Sequence, residues 1–381
     1  MARSSIDFGI NVNTRCPVIY PDEYSSTDLV DLAVRVEELG YDTVYVGDNF
    51  FSKPRLESTT TLAAIASRTK RVKLATSALI SPLRNTVWLA LQWATVDQLS
   101  NGRTVLVVCV GGGSAEAGGP EFTREFDVAG VPYNKRGAIM EEQIEVLRKL
   151  WTEPVTTFTG QFHNLDHVAL GPKPVQRPCP PIWIANNPQI FPLDSRIVER
   201  MLRRVATASD GWQTCLATPD EYRTMLERIR LYAKEAGRHQ RLGSELLVAL
   251  SPLAKRLGMV PSYETGLFRG ADDYRVPDLI FCRAEHVSDR GAEGADLVVE
   301  LRSPGDETYA KLDFYAALGV REMLVVHPGD RTVELFRLVE ARLLPVSPDA
   351  EGGLRSDVLG VHCTTHDDGL HLSWDGGSAT L

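Results

Sequence analysis

No CxxC pair, no long uncharged apolar run and no excess of positive charge occur in this 381-residue sequence. Each absence excludes something. The six cysteines (Cys16, Cys109, Cys179, Cys215, Cys282, Cys363) are scattered, so no disulfide framework is expected, and a reducing compartment is. No apolar run is long enough to span a bilayer, and no apolar signal region precedes the first strand-like segment. A cytoplasmic location with no membrane partner is the expectation. The formal net charge of -9 argues against broad non-specific nucleic-acid binding, which needs Lys and Arg to displace counterions from phosphates. It leaves room for a local basic groove. There is no internal repeat and no low-complexity segment. What is present, 43% hydrophobic and 24% charged residues, describes a folded chain long enough for two or three domains.

The first part alternates strand and helix signals. Ile6–Val12, Thr43–Gly47, Val72–Ile80 and Thr104–Val110 read as strands. Ser26–Gly40, Thr59–Thr69 and Val87–Leu99 read as the helices between them. The strands are nearly continuous apolar runs, as expected when both faces are covered. This rhythm means a parallel sheet with right-handed crossovers. Next come a glycine-rich loop (Gly111–Gly119), a long amphipathic helix (Lys135–Trp151) and a hairpin (Val155–Leu170). Ile182–Ala185 reads as a fifth strand, Asp210–Gln213 as the start of a sixth, Asp220–Ala236 as a helix and Leu246–Leu250 as a seventh strand. After about residue 255 short strands (Tyr274–Phe281, Asp296–Leu301, Met323–Val326, Thr332–Phe336) surround one helix, Glu307–Leu318, an α+β pattern. A boundary near 252–272 divides the chain into residues 1–255 and 256–381.

Seven strands with intervening helices suggest an α/β fold, a (β/α)8 barrel of the TIM type that is incomplete after strand seven. No GxGxxG follows the first strand, so a Rossmann site is unsupported. Function in a barrel sits at the carboxyl ends of the strands. Those ends carry Asn11, Asn13 and Thr14; Asp48 and Asn49; Ser77 to Ser81; Gly111 to Ser114; and Asn186 and Asn187. Taken singly, each has an ordinary reading. Asp48 caps or turns the chain, Gly111–Gly113 is a plain loop, Asn186-Asn187 is a helix cap, and Tyr133 and Trp183 are core.

The segments GYDTVYVGDNF, ATSALISP, TVDQLSNGR, VVCVGGG, PYNKRGAIMEEQIEVLRKLW, FTGQF, PPIWIANNP and SDGW occur in this order. Together they resemble luciferase-like flavin-dependent oxidoreductases over roughly residues 5–250. TSALISP and the Ala-Asn-Asn-Pro after strand five look closest to the deazaflavin (coenzyme F420) branch. The resemblance implies a cofactor, FMN or F420, that carries the redox chemistry. It also implies a small organic substrate and a homodimer, and it places a non-proline cis peptide at Ser77–Ala78. Ser77, Asn49 and Asn11 can supply contacts to the ring edge, the Ser77–Ala78 bulge lies against the ring, Asn186 also binds the cofactor, and Gly111, Gly112, Gly113 and Arg136 could approach a phosphate or tail. Asp48 and Asn49 occupy the catalytic positions. The family has His where Asn49 stands, and Asn cannot transfer a proton near neutral pH. Ser114 stands where many deazaflavin enzymes have an acid, with Glu116 close by.

VPDLIFC, ADLVVELRSP, ETYAKLDFYAALGVREMLVVHP and TVELFRL resemble the Uma-type restriction-endonuclease-like proteins over roughly residues 270–378. The resemblance implies a PD-(D/E)XK core in which Asp278 and Glu300 hold Mg²⁺ and Lys311 assists, with DNA as the partner. Arg302 stands at the more usual lysine position, and Tyr315 lies on the face of Lys311. Without the flanking match, Pro277-Asp278 reads as a turn and Glu300 as a surface strand residue. His362, Cys363, His366 and His371 fit no zinc spacing. An incomplete barrel exposes strand edges, which the second module, the segment Leu246–Met259 or a dimer would cover. Three functions follow: a flavin- or F420-dependent oxidoreductase or monooxygenase, a Mg²⁺-dependent nuclease-like protein with the barrel as scaffold, and a non-catalytic flavin-binding protein.

Overall fold

The computed structural model describes residues 6–112, 120–190, 194–270, 273–288, 290–302 and 307–381. It divides into two compact units, Met1–Tyr232 and Ala233–Leu381. The sequence boundary at 255/256 falls at the end of a helix, and the division by contacts falls inside that helix.

The first unit is built on a parallel sheet. Its strands are β1 (Gly9–Val12), β2 (Thr43–Val46), β3 (Lys73–Thr76), β4 (Leu79–Ile80), β5 (Thr104–Cys109), β6 (Ile182–Ala185) and β7 (Gly211–Gln213). The order is β1-β2-β3-β5-β6-β7, with β4 also pairing β5. The sheet curls as an incomplete barrel. Its two faces differ by residue parity, because strand side chains alternate. Val44, Val46, Leu74, Leu106, Val108, Ile182 and Ile184 face outward into a large core. They pack against α1 (Ser26–Glu38), α2 (Ser58–Arg68), α3 (Thr86–Ser100) and α5 (Arg136–Thr152), which contribute Leu62, Ile65, Trp93, Leu147 and Trp151. The inner face carries a smaller cluster of Ala75, Val105 and Val107 with Tyr45, Ala78, Trp183 and Ala185.

Local chemistry accounts for the joints. The Ser25 hydroxyl and the Asp28 carboxylate close a capping box on α1. The Asn85 side chain accepts from the Trp88 N–H at the start of α3, and α3 ends on Asn101 in the left-handed region at φ 57°. Arg103, next in line, donates to the carbonyls of Ala66, Thr69, Val72 and Ser100. The segment TVDQLSNGR is thus a helix stop followed by a guanidinium clamp on the end of α2. Helix α4 (Pro120–Ala129) precedes α5, and α6 (Ser195–Ala208) precedes β7.

One expected strand is not a strand. Leu246–Leu250 lies inside α7 (Pro219–Arg256). Leu242, Leu246, Leu250 and Leu253 recur every three to four residues, which is helical periodicity, and all four are buried. With Ala254 and Met259 they belong to a core of the second unit, so the segment Leu246–Met259 is spent there. Met225, Ile229 and Tyr232, earlier in α7, belong to the large core of the first unit.

The second unit is α+β. Its main sheet runs β8 (Met259–Tyr263), β9 (Leu279–Arg283), β10 (Leu297–Leu301), β11 (Glu322–Val326), β12 (Val333–Val339) and β13 (Arg342–Pro345). Only β10 and β11 pair in parallel. Leu297, Val299 and Leu301 face the α7 leucines. Val298 and the intervening residues face α8 (Leu312–Ala317), which packs Phe314, Tyr315 and Ala316. His362–Thr380 forms antiparallel hairpins. No described helix is long and apolar enough to cross a membrane.

Candidate functional site

The carboxyl ends of β2 and β3 carry the expected constellation on two different faces. Asp48 lies on the outer side, with its side chain only 1% exposed. It accepts from Arg84 (2.6 Å), the Ser58 hydroxyl (3.1 Å) and the Ile80 N–H (3.1 Å). Burial raises its carboxyl above the ordinary range, against the attraction of Arg84. This group pins α2, the turn after β4 and Arg84 together, and it does not reach the inner face. Asn49 turns out of the strand and donates through Nδ2 to the Ser52 hydroxyl at 3.1 Å.

The loop that carries Asn49 is held by a residue with no counterpart among the sequence expectations. Glu125 on α4 is fully buried, and its Oε1 accepts the backbone N–H groups of Phe50, Phe51 and Ser52 at 3.1, 2.8 and 2.7 Å. Its Oε2 is buried without a partner. Nothing local marks Glu125, which is more than seventy residues from the loop it holds.

The inner face collects Asn11, Ser77 and Ala78. Asn11 pairs in register with Tyr45 and is exposed. The peptide between Ser77 and Ala78 is cis, at the step the resemblance names. Ser77 accepts from Gln213 Nε2 across the sheet at 3.3 Å. Small or apolar side chains thus form the floor, and two amides and a hydroxyl form the rim. Arg55 also reaches this rim. A Cβ on Gly47 would collide with Arg55 Nη1 and stand 3.7 Å from the Ser77 carbonyl oxygen.

The glycines after β5 have a packing reason. Gly111 takes φ 83°, where other residues are strained, and a Cβ there would meet Phe126 and Ile80. A Cβ on Gly112 would meet the Phe122 ring at 2.6 Å. Gly113, Ser114 and Glu116 lie outside the described residues. The Tyr133 hydroxyl donates to the Gly112 carbonyl at 3.0 Å, and Arg136 stacks on the Tyr133 ring at 3.7 Å. Arg136 Nε is buried with no partner. Asn186 is occupied internally: it donates to the Met201 carbonyl and accepts from the Trp212 ring N–H. Its even-numbered position puts it on the outer face of the sheet. A cavity of about 500 Å³ follows β7, lined by Cys215, Leu216, Tyr222 and Leu226 among others, and none of the expected site residues lines it.

In the second unit Glu300 and Asp278 come from neighbouring strands, as expected, but their oxygens are spent. Glu300 accepts from Lys311 Nζ at 2.7 Å and from the Tyr315 hydroxyl. Burial raises its carboxyl, and Lys311 opposes the rise. Asp278 accepts the Leu301 N–H at 2.6 Å, and His239 Nε2 stands 3.4 Å from its other oxygen. His239 comes from α7 and has no sequence signal. Among the described residues no group of three His, Cys, Asp or Glu side chains is arranged to hold a metal ion. A Mg²⁺ ion at Asp278 and Glu300 would have to displace Lys311 and Tyr315 from Glu300.

The family model described as luciferase-like monooxygenase matches residues 6–255. A second, of the Uma2 family and described as "putative restriction endonuclease", matches residues 217–365. The chain is similar to an F420-dependent glucose-6-phosphate dehydrogenase of Amycolatopsis mediterranei, at 35% identity over 44% of this chain and 50% of that protein. It is similar to a protein of the same name from Intrasporangium calvum, at 29% identity over 85% of this chain and 96% of that one. It thus spans half the length of the first relative and nearly all of the second. A monooxygenase structure from Streptomyces bottropensis aligns with a TM-score of 0.50 at 25% identity, over 61% of this chain and 67% of that one.

Proposed function

This chain belongs to the luciferase-like monooxygenase family, and from that premise we propose that its first unit is an F420- or flavin-dependent oxidoreductase acting on a small organic substrate. The observation that carries the proposal is the inner face: an apolar floor of Ala75, Val105 and Val107, with Ala78 packed against it, rimmed by Asn11, Ser77 and Gln213. A flat heteroaromatic ring needs that combination, with dispersion on its face and hydrogen bonds at its edge. The ring supplies hydride or oxygen chemistry when bound. Asn11 and Ser77 orient its polar edge. Arg136, with a buried unpartnered Nε, and the Gly112 backbone take its phosphate or tail. Asp48 acts as a positioning residue, since its oxygens hold Arg84, Ser58 and the Ile80 N–H. The names of the two dehydrogenase relatives favour F420 over FMN.

Absorbance titration of the full chain with F420 and with FMN tests this. Saturable binding of F420, weakened by Ser77→Ala and by Arg136→Gln, is the expected result. No saturable binding of either cofactor overturns the reading. A second reading, a metal-dependent nuclease in the second unit, draws on the strand-adjacent carboxylates and the family match. Mg²⁺-dependent DNA cleavage lost in Glu300→Gln would establish it, and the closed bonding of Glu300 leads us to expect none.

A further inference from the structure

Two arginines follow the first two strands, and among the described residues their terminal nitrogens make no hydrogen bond. Arg55 lies over Gly47, directly after β2, and any side chain at Gly47 would displace its guanidinium. Its one side-chain hydrogen bond runs from Nε to the Lys53 carbonyl at 3.2 Å. Arg15 follows β1, and its Nε is buried with no partner. The Leu56 N–H donates to the Thr14 carbonyl at 3.0 Å, which sets the two segments side by side. The charges feel one another: after burial, Arg15 is the largest influence lowering the Arg55 pKa.

The neighbouring carboxylates already hold other groups, and the one free oxygen among them, Glu125 Oε2, is buried without a partner. Asp48 holds Arg84. Glu57 accepts the Thr59 and Thr60 N–H groups at the start of α2. Glu125 holds the Phe50–Ser52 backbone. Asp48 and Glu125 attract Arg55 across space, but among the described residues neither Arg15 nor Arg55 is in an ion pair. Two half-buried like charges cost free energy that an anion between them offsets. Planar guanidinium forks match carboxylate and phosphate oxygens two at a time.

We propose that Arg15 and Arg55 form an oxyanion subsite, and that the substrate carries a carboxylate or phosphate held there. The substrate half of this proposal rests on the reading of the inner face as the cofactor site. The subsite sits beside Gly47 and Ser77, on the side of β1 and β2, whereas Gly112 and Arg136 follow β5. That placement separates a substrate anion from the cofactor's own phosphate or acidic tail.

The probe is inorganic phosphate, titrated calorimetrically into the full chain without cofactor. One saturable site is expected, weakened about tenfold or more by Arg55→Gln and by Arg15→Gln, the loss of one bidentate charged contact. Gly47→Ala should weaken it similarly with the melting temperature unchanged, because only the mobile end of Arg55 must move. Arg35→Gln, on the exposed face of α1, should change nothing. No binding below roughly 20 mM phosphate, about the weakest affinity a two-arginine site would show, overturns the subsite, as does binding that survives both arginine substitutions. A second titration adds cofactor. Joint binding of phosphate and cofactor supports a substrate anion. Competition between them assigns the oxyanion to the cofactor and overturns the substrate claim. Arginine-dependent phosphate binding without any cofactor binding keeps the subsite and removes the oxidoreductase reading instead.

Discussion

Replacing Lys311 with Met is predicted to destabilise the second unit by about 3 kcal/mol at pH 8, and by clearly less near pH 5. The Glu300 side chain is 2% exposed, and among the described residues its ion-pair partner is Lys311, at 2.7 Å. Methionine keeps most of the stem and removes the charge, so Glu300 is left with the Tyr315 hydroxyl alone. Breaking one partner out of a buried pair costs roughly 3–5 kcal/mol. The lower end applies because Lys311 keeps 22% of its side chain in solvent. The pH sign follows from burial, which already raises the Glu300 pKa against the pull of Lys311. Removing Lys311 raises it further. Between the unfolded and folded pKa the native state binds the extra proton, so stability is greatest below the unfolded value and falls as pH rises toward the folded one. Hydrogen exchange of a peptide covering Leu297–Leu301, compared with the natural chain at each pH, reads the loss directly. At pH 8 the variant should exchange on the order of 100-fold faster. A loss below about 1 kcal/mol, or the same loss at both pH values, would refute a buried ionised pair.

Two further predictions concern the first unit. Glu125→Ala orphans three backbone donors on Phe50–Ser52 and should cost about 3 kcal/mol, with exchange at those amides accelerated, while Glu125→Gln keeps an acceptor and should cost about 1 kcal/mol; equal losses in thermal melts would show that the carboxylate oxygen is not what holds the loop. Asn49→His should add a step near pH 6.5 to the absorbance of bound cofactor, the ordinary imidazole value, and a pH-independent spectrum would mean that position 49 does not face the ring.

Much of the first unit was legible because its signals are local. The apolar runs of β1, β2, β3, β5 and β6 all sit within a few residues of their own cues. So does the Glu300–Lys311–Tyr315 group, since Lys311 and Tyr315 share one helix face. Leu246–Leu250 has a strand's five apolar residues but lies in a helix. The four-residue spacing of Leu242, Leu246 and Leu250 was the contrary signal, and it needs a longer window. Glu125, Arg55, Arg15 and His239 were not legible, because the groups they meet lie elsewhere in the chain.

The amino-acid order by itself determined the alternation of strand and helix, the two-part plan and the family, because periodicity and capping act over single turns of chain. The tertiary structure decided what each polar group does. Strand parity sent Asp48 and Asn186 to the outer side and Asn11 and Ser77 to the inner one. Packing of α8 against β10 gave Glu300 a lysine and a phenol as partners. The fold also sets the segments of Arg15 and Arg55 side by side, and among the described residues neither arginine is in an ion pair. A polar side chain's role depends on which partners reach it first, and those partners are chosen by the fold.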